Sequence, residues 1–184
     1  MSSIEEIREL IEAALSDGNP DGPVRWQAVA DLQQRGDLAT FTEARRLCAG
    51  ATPAERTLGA DILGQLGMPG RPFTDRSLPV LRFLAASDDD PLVLYSVLIA
   101  LGHLRDRRAL PTVVDLSRHE DSRVRYGAAY ALPNVIGDPP DPAGLAALRD
   151  LTSDADNDVA EWASLGLTLA MGGKLEDRVE DAGR

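Results

Sequence analysis

The chain has 184 residues, of which 43% are hydrophobic and 27% charged, and carries a net charge of −11. That composition suits one continuous core and excludes a disordered chain. The acidity disfavours attraction to nucleic-acid phosphate or anionic lipid and favours a basic partner. A single cysteine excludes an internal disulfide and a multi-thiolate metal site.

The opening, MSSIEEIREL, is acidic and lacks the apolar centre of a signal sequence, and no apolar run reaches the roughly 20 residues of a membrane span. A reduced cytoplasm is the expected compartment. Ile4, Ile7, Ile11 and Leu15 share one side of a first helix. The polar turn SDGNPDGP follows, and Val24 opens a second helix, VRWQAVADLQQRGD. LATFTEARRLCA is next, with Cys48 expected as a small core residue, and then ERTLGADILGQLG from Glu55. The link LGMPGRP leads to SLPVLRFLAAS, the turn SDDDP, and VLYSVLIALGHLRD from Val93. ALPTVVDLSRH, the turn HEDS and VRYGAAYALPNVIGD from Val124 come after it. PAGLAALRDLTS, SDADND and VAEWASLGLTLA from Val159 complete the series before a polar tail.

The blocks at Val24, Glu55, Val93, Val124 and Val159 start 31, 38, 31 and 35 residues apart. Each carries small or apolar residues at its first, fifth, ninth and twelfth positions, apart from Glu55, Arg35 and drift at the ends. That spacing is one face of a helix. The sequence therefore predicts an all-α fold: an α-solenoid of five helix pairs at about 3–35, 38–67, 75–104, 107–136 and 142–171. These make one repeat domain, 1–173, with a tail at 174–184. One pair cannot bury its own apolar face; stacking the pairs builds the core. Asp, Ser and Asn in the turns are expected as helix N-caps.

The pattern Leu-Pro-x-Leu, turn Asp, Val-Arg, Ala, Ala-Leu-Gly, carried by LPTVVDLSRHEDSRVRYGAAYAL and LPVLRFLAASDDDPLVLYSVLIALG, resembles HEAT and HEAT-like repeats of the phycobilisome-lyase type. The resemblance spans about residues 3–171. It implies the solenoid fold and leaves function open, since that superfamily holds scaffolds, lyases, hydroxylases and DNA glycosylases. HEAT repeats often pair a turn Asp with an Arg six residues on. Here Asp88 precedes Leu94, Asp154 precedes Ala160, and Arg125 follows His119, so no continuous Asp–Arg ladder is expected. Pro133 is expected to kink or end its helix early.

Several residues invite a chemical reading. Deoxyhypusine hydroxylase, a HEAT-like enzyme, holds two irons with several His-Glu pairs. This chain has two histidines, and only His119 is followed by Glu. His119 and Glu120 read better as a helix end and a solvated turn. The acidic runs at 88–90 and 154–158 lack the spaced ligands of a calcium loop. No nucleophile elbow or phosphate loop occurs. No catalytic residue, metal ligand or cofactor is expected.

The surface reading is richer. Opposite the core face of the second helices lies the row Trp26, Thr57, Tyr95, Tyr126, Glu161, and one turn on, Ala30, Asp61, Ile99, Tyr130, Leu165. Aromatic residues are only 4% of the chain, yet all three tyrosines fall here. Rings on a concave face are anchors for binding, unless they pack between neighbouring helices as part of the stack. A flanking row holds Arg25, Arg56 and Arg125, which would bridge to the next repeat or clamp an anion at the groove edge. The expected function is a non-catalytic scaffold or adaptor that binds a protein or peptide, a basic one favoured, on its concave face. The candidate residues are Trp26, Asp61, Tyr95, Ile99, Tyr126, Tyr130, Leu165, Arg25, Arg56 and Arg125. The alternatives are a lyase-like accessory protein using Asp61 with Tyr95 or Tyr126 on a small molecule, and a nucleic-acid-modifying protein with an arginine-lined groove.

Overall fold

The computed structural model describes residues 3–172; the polar tail lies outside the described residues. Among the described residues ten α-helices run α1 Ser3–Ser16, α2 Pro23–Arg35, α3 Leu38–Cys48, α4 Pro53–Gln65, α5 Thr74–Ser87, α6 Pro91–Leu104, α7 Leu110–Leu116, α8 Ser122–Val135, α9 Pro142–Leu151 and α10 Asn157–Ala170, with one 3₁₀ turn, Arg107–Ala109, before α7. Among the described residues there is no strand.

The starts of these helices follow from local chemistry. Asp90 accepts the Leu92 and Val93 N–H groups, and Asp156 those of Asp158 and Val159. Asp37, Asp121 and Asp141 cap α3, α8 and α9 in the same way. Thr52 and Glu55 form a reciprocal capping box on α4. Proline fills the first turn of α2, α4, α6 and α9, where a missing N–H does no harm.

The first helices of each pair form one layer and the second helices the other. Leu58, Leu63, Leu98, Leu101, Leu132 and Leu148 are fully buried between them. The second helices lie close together because small residues meet. A Cβ on Gly64 of α4 would come 2.8 Å from the Ala100 Cα of α6. Of the two outcomes expected of Pro133, an early end does not occur; α8 continues to Val135. The kink-prone turn is held by Asn134, whose Nδ2 donates to the Tyr130 carbonyl at 3.1 Å, and is packed against Gly166 of α10.

An Asp–Arg ladder does exist, but it joins one pair to the next instead of closing a turn on itself. Arg56 forks onto Asp88 at 2.5 and 3.3 Å, and Arg125 onto Asp154 at 2.7 and 2.9 Å. Each arginine also donates through Nη1 to two carbonyls of its own turn, Gly50 and Ala51 or His119 and Glu120. The ladder misses a rung between the third and fourth pairs. There Leu94 replaces the arginine, and His119 replaces the aspartate. His119 Nδ1 accepts the Asp121 N–H at 3.0 Å, the job Asp88 does for Asp90 and Asp154 for Asp156.

Candidate functional site

The layer of second helices faces a cavity of about 630 Å³, bounded by the α1–α2 loop, α2, α4, α6 and α8. Its shape follows from side-chain size. On α4 the lining residues are Pro53, Ala54, Thr57 and Asp61, which leave a low floor. Trp26 rises on one side, 43% exposed, and Tyr95, Ile99 and Tyr126 on the other. The loop around Asn19–Asp21 closes one end. That loop is tied down by Asp17, whose Oδ2 accepts the Arg25 N–H at 2.9 Å in place of the cap side chain that Gly22 lacks. A Cβ at Gly22 would meet Asp17 Oδ2 at 2.1 Å, so a side chain there would displace the carboxylate that caps α2.

At the floor Arg25 and Asp61 form an ion pair at 2.5 Å, their side chains only 8% and 7% exposed. Burial pushes the Asp61 carboxyl above its ordinary range, against the pull of Arg25 and a hydrogen bond from Ser96. The Arg25 guanidinium also lies 5.0 Å from the Trp26 ring centre, a cation–π contact. Cys48 sits buried nearby, its thiol pushed up to about 12 by burial and by Asp61.

Beyond the cavity the rings close into a stripe. Tyr95 and Tyr126 are 6.3 Å apart, Trp162 stands edge-on to Tyr126 and Tyr130 at 5.8 and 5.9 Å, and His103 stands edge-on to Tyr130 at 5.8 Å. Tyr130 Oη and His103 Nε2 share a 3.0 Å hydrogen bond, and burial holds the imidazole below its usual value. Burial raises the Tyr95 and Tyr126 phenols, with Asp21 and Asp61 adding to the first and Asp158 to the second. The stripe is thus aromatic and bordered by carboxylates.

Of the ten candidate residues, Arg25, Trp26, Asp61, Tyr95, Ile99 and Tyr126 line the cavity together. Tyr130 belongs to the stripe beside it. Leu165 is half-buried on α10 and does not line the cavity. Arg56 and Arg125 are not groove-edge clamps: both are spent on the neighbouring pair. The tyrosines are half-buried, so they pack against one another and also present a face. Sequence reasoning missed Trp162, because it stands one position off the row and reaches back onto α8. It also missed Ser96, Arg123 and the α1–α2 loop.

His103 and His119 lie on different elements, each with a hydrogen-bond partner. Among the described residues no three His, Cys, Asp or Glu side chains converge to hold a metal, so the donor set does not fit a di-iron centre. No helix of the described residues is long and apolar enough to cross a membrane.

Stacked helix pairs with one hollow face define an α-solenoid repeat protein. Residues 78–168 match the family model described as HEAT repeats, so this stretch carries HEAT-type repeats. Deoxyhypusine hydroxylase of Bos taurus is 34% identical over 85 residues, which is 45% of this chain and 27% of that protein. The chain thus matches about a quarter of the length of that relative. The X-ray structure of Escherichia coli YibA is similar with a TM-score of 0.73 at 21% identity, over 97% of this chain and 62% of that one. A designed armadillo repeat protein, solved in complex with the peptide (KR)4, is similar with a TM-score of 0.62 at 15% identity, over 100% of this chain and 88% of that one. At these identities the solved structures speak for the fold alone.

Proposed function

We propose that the concave face binds an extended protein or peptide segment, and that a basic segment is preferred. The observation that carries this reading is the set of rings from α2, α6, α8 and α10 gathered on one face, beside a cavity and among Asp21, Asp61 and Asp158. Rings supply apolar area at low entropic cost and attract cations through their faces. The surrounding carboxylates speed the approach of a basic chain and repel an acidic one. The designed armadillo protein bound to (KR)4 supports the reading by likeness of fold. A small-molecule reading draws on the cavity volume, which falls within the usual ligand range of about 300–1,000 Å³. It is the weaker one, because Asp61 is held by Arg25 and Ser96 and is not poised beside Tyr95 as a free acid. An arginine-lined groove for nucleic acid is weaker still, since Arg56 and Arg125 face Asp88 and Asp154.

The test uses the protein's own fluorescence, because both tryptophans of the chain, Trp26 and Trp162, stand on this face. Titration with an alternating Lys-Arg octapeptide should give a saturable change that weakens with salt. An acidic octapeptide should give none. Tyr95→Ala/Tyr126→Ala, folded by circular dichroism, should lose the response. A wild type silent to the basic peptide, or a double variant that binds it equally well, overturns the proposal.

A further inference from the structure

The floor of the cavity holds more hydrogen-bonding capacity than the protein uses. A guanidinium has five N–H donors. Among the described residues, the Arg25 side chain spends one nitrogen, Nη2, on Asp61; Nε and Nη1 have no hydrogen-bond partner. The side chain is more than nine-tenths buried yet lines the cavity, so these donors open into it. Neither nitrogen is fully buried, so both reach the water of the cavity, where a ligand's acceptor can take water's place.

The surroundings select the kind of acceptor. Arg25's charge is already balanced by Asp61 at 2.5 Å, and Asp21 also lines the cavity. A carboxylate brought to Arg25 would face both with one guanidinium to share. A neutral carbonyl oxygen takes the same donors without that repulsion. The walls, Trp26 on one side and Tyr95 and Ile99 on the other, fit a flat or apolar group next to the carbonyl. The height of the slot depends on Thr57, a small residue where the neighbouring helices carry Trp26, Tyr95 and Tyr126.

We propose that Arg25 is the anchor of an amide-recognition pocket: its free donors bind an uncharged carbonyl of the bound segment, whose apolar part lies between Trp26 and Tyr95. This rests on the peptide-binding reading and gives it a fixed point. A chain in the groove is held by its own amide at the slot, while its cations meet the carboxylates around the stripe.

The experiment pairs two probes with two variants, read by tryptophan fluorescence. 3-Phenylpropanamide offers the carbonyl, the ring and no charge; 3-phenylpropanoate offers a carboxylate instead. The Lys-Arg octapeptide reports on the groove. Arg25→Lys keeps the charge opposite Asp61 but removes the fork, and Thr57→Trp fills the slot while leaving the ion pair in place; thermal melts confirm that both fold. The amide should bind wild type more tightly than the acid does, and both variants should weaken it about tenfold or more, the scale of losing charged hydrogen bonds. Equal or tighter binding of the acid overturns the proposal, as does amide binding unchanged in both folded variants. If the octapeptide binds and Arg25→Lys leaves it untouched, the anchor fails and the groove stands. If the amide binds through Arg25 while the octapeptide does not, the anchor stands and the peptide reading fails. If neither probe binds, both fail.

Discussion

The step from α2 to α4 and the step from α6 to α8 are built from the same repeat, yet they end differently. At α6–α8 the rings of Tyr95 and Tyr126 stand 6.3 Å apart and close the surface. At α2–α4 the row passes from Trp26 to Thr57, the surface opens, and the gap descends to a buried Arg25–Asp61 pair. The backbone supplies a periodic frame; the size of one side chain per repeat decides whether the frame presents a sealed stripe or a slot. Charge follows the same division. In the open step the ion pair lies under the face, and in the second and fourth pairs it sits at the turns, where Arg56 and Arg125 reach the following pair.

Breaking the open step should cost most. Asp61→Ala leaves Arg25 buried without its counter-charge, and urea denaturation should show a loss of about 3–5 kcal/mol. Next comes the contact between the two regions, where α4 meets α6. Gly64→Ala places a methyl 2.8 Å from the Ala100 Cα, which only a shift of the helices can relieve. Overpacking of that kind costs about 1–3 kcal/mol, read as a lower midpoint at constant m-value.

The turn pairs are more exposed, so their loss should be milder. Asp154→Ala removes both bonds to Arg125, and a loss of about 1–2 kcal/mol is expected after discounting for solvent. Its pH dependence has a definite sign. Arg125 and the Asp156 N–H hold the Asp154 carboxyl below its ordinary value, burial acting the other way. The folded value therefore lies under the unfolded one, near 3.9. The stabilisation is complete above that pH and disappears as pH falls through the folded value. The stability difference between wild type and Asp154→Asn should shrink accordingly in acid melts. The smallest effect sharpens the comparison by restoring a rung. Leu94→Arg should destabilise alone because it buries a charge. Combined with His119→Asp it should recover, with a coupling of about 1 kcal/mol in a double-mutant cycle.

The five pairs, their turns and their caps were legible because each rests on local chemistry: a 3.6-residue period, an Asp before a helix, a proline in a first turn. The partner of each arginine was not. Arg25 meets Asp61 and Arg56 meets Asp88 across 36 and 32 residues, and a rule sought inside one turn could not find a ladder that crosses between pairs. The row of Trp26, Tyr95 and Tyr126 could be drawn on a wheel, whereas Trp162 could not, because its ring leans from α10 back to α8. The slot was hidden for another reason. It exists where Thr57 is small and where the α1–α2 loop folds over, and neither absence nor loop path appears in a periodic pattern. That α8 runs past Pro133 also depends on a neighbour, Gly166 of α10, packed against it in the folded stack.

Amide hydrogen exchange with and without the Lys-Arg octapeptide tests recognition on the hollow face most directly. Slower exchange in the α1–α2 loop and in α2, α6 and α8, with α3, α5 and α7 unchanged, is the predicted result. Slowing confined to α3, α5 and α7, or no change anywhere at saturating peptide, would contradict it.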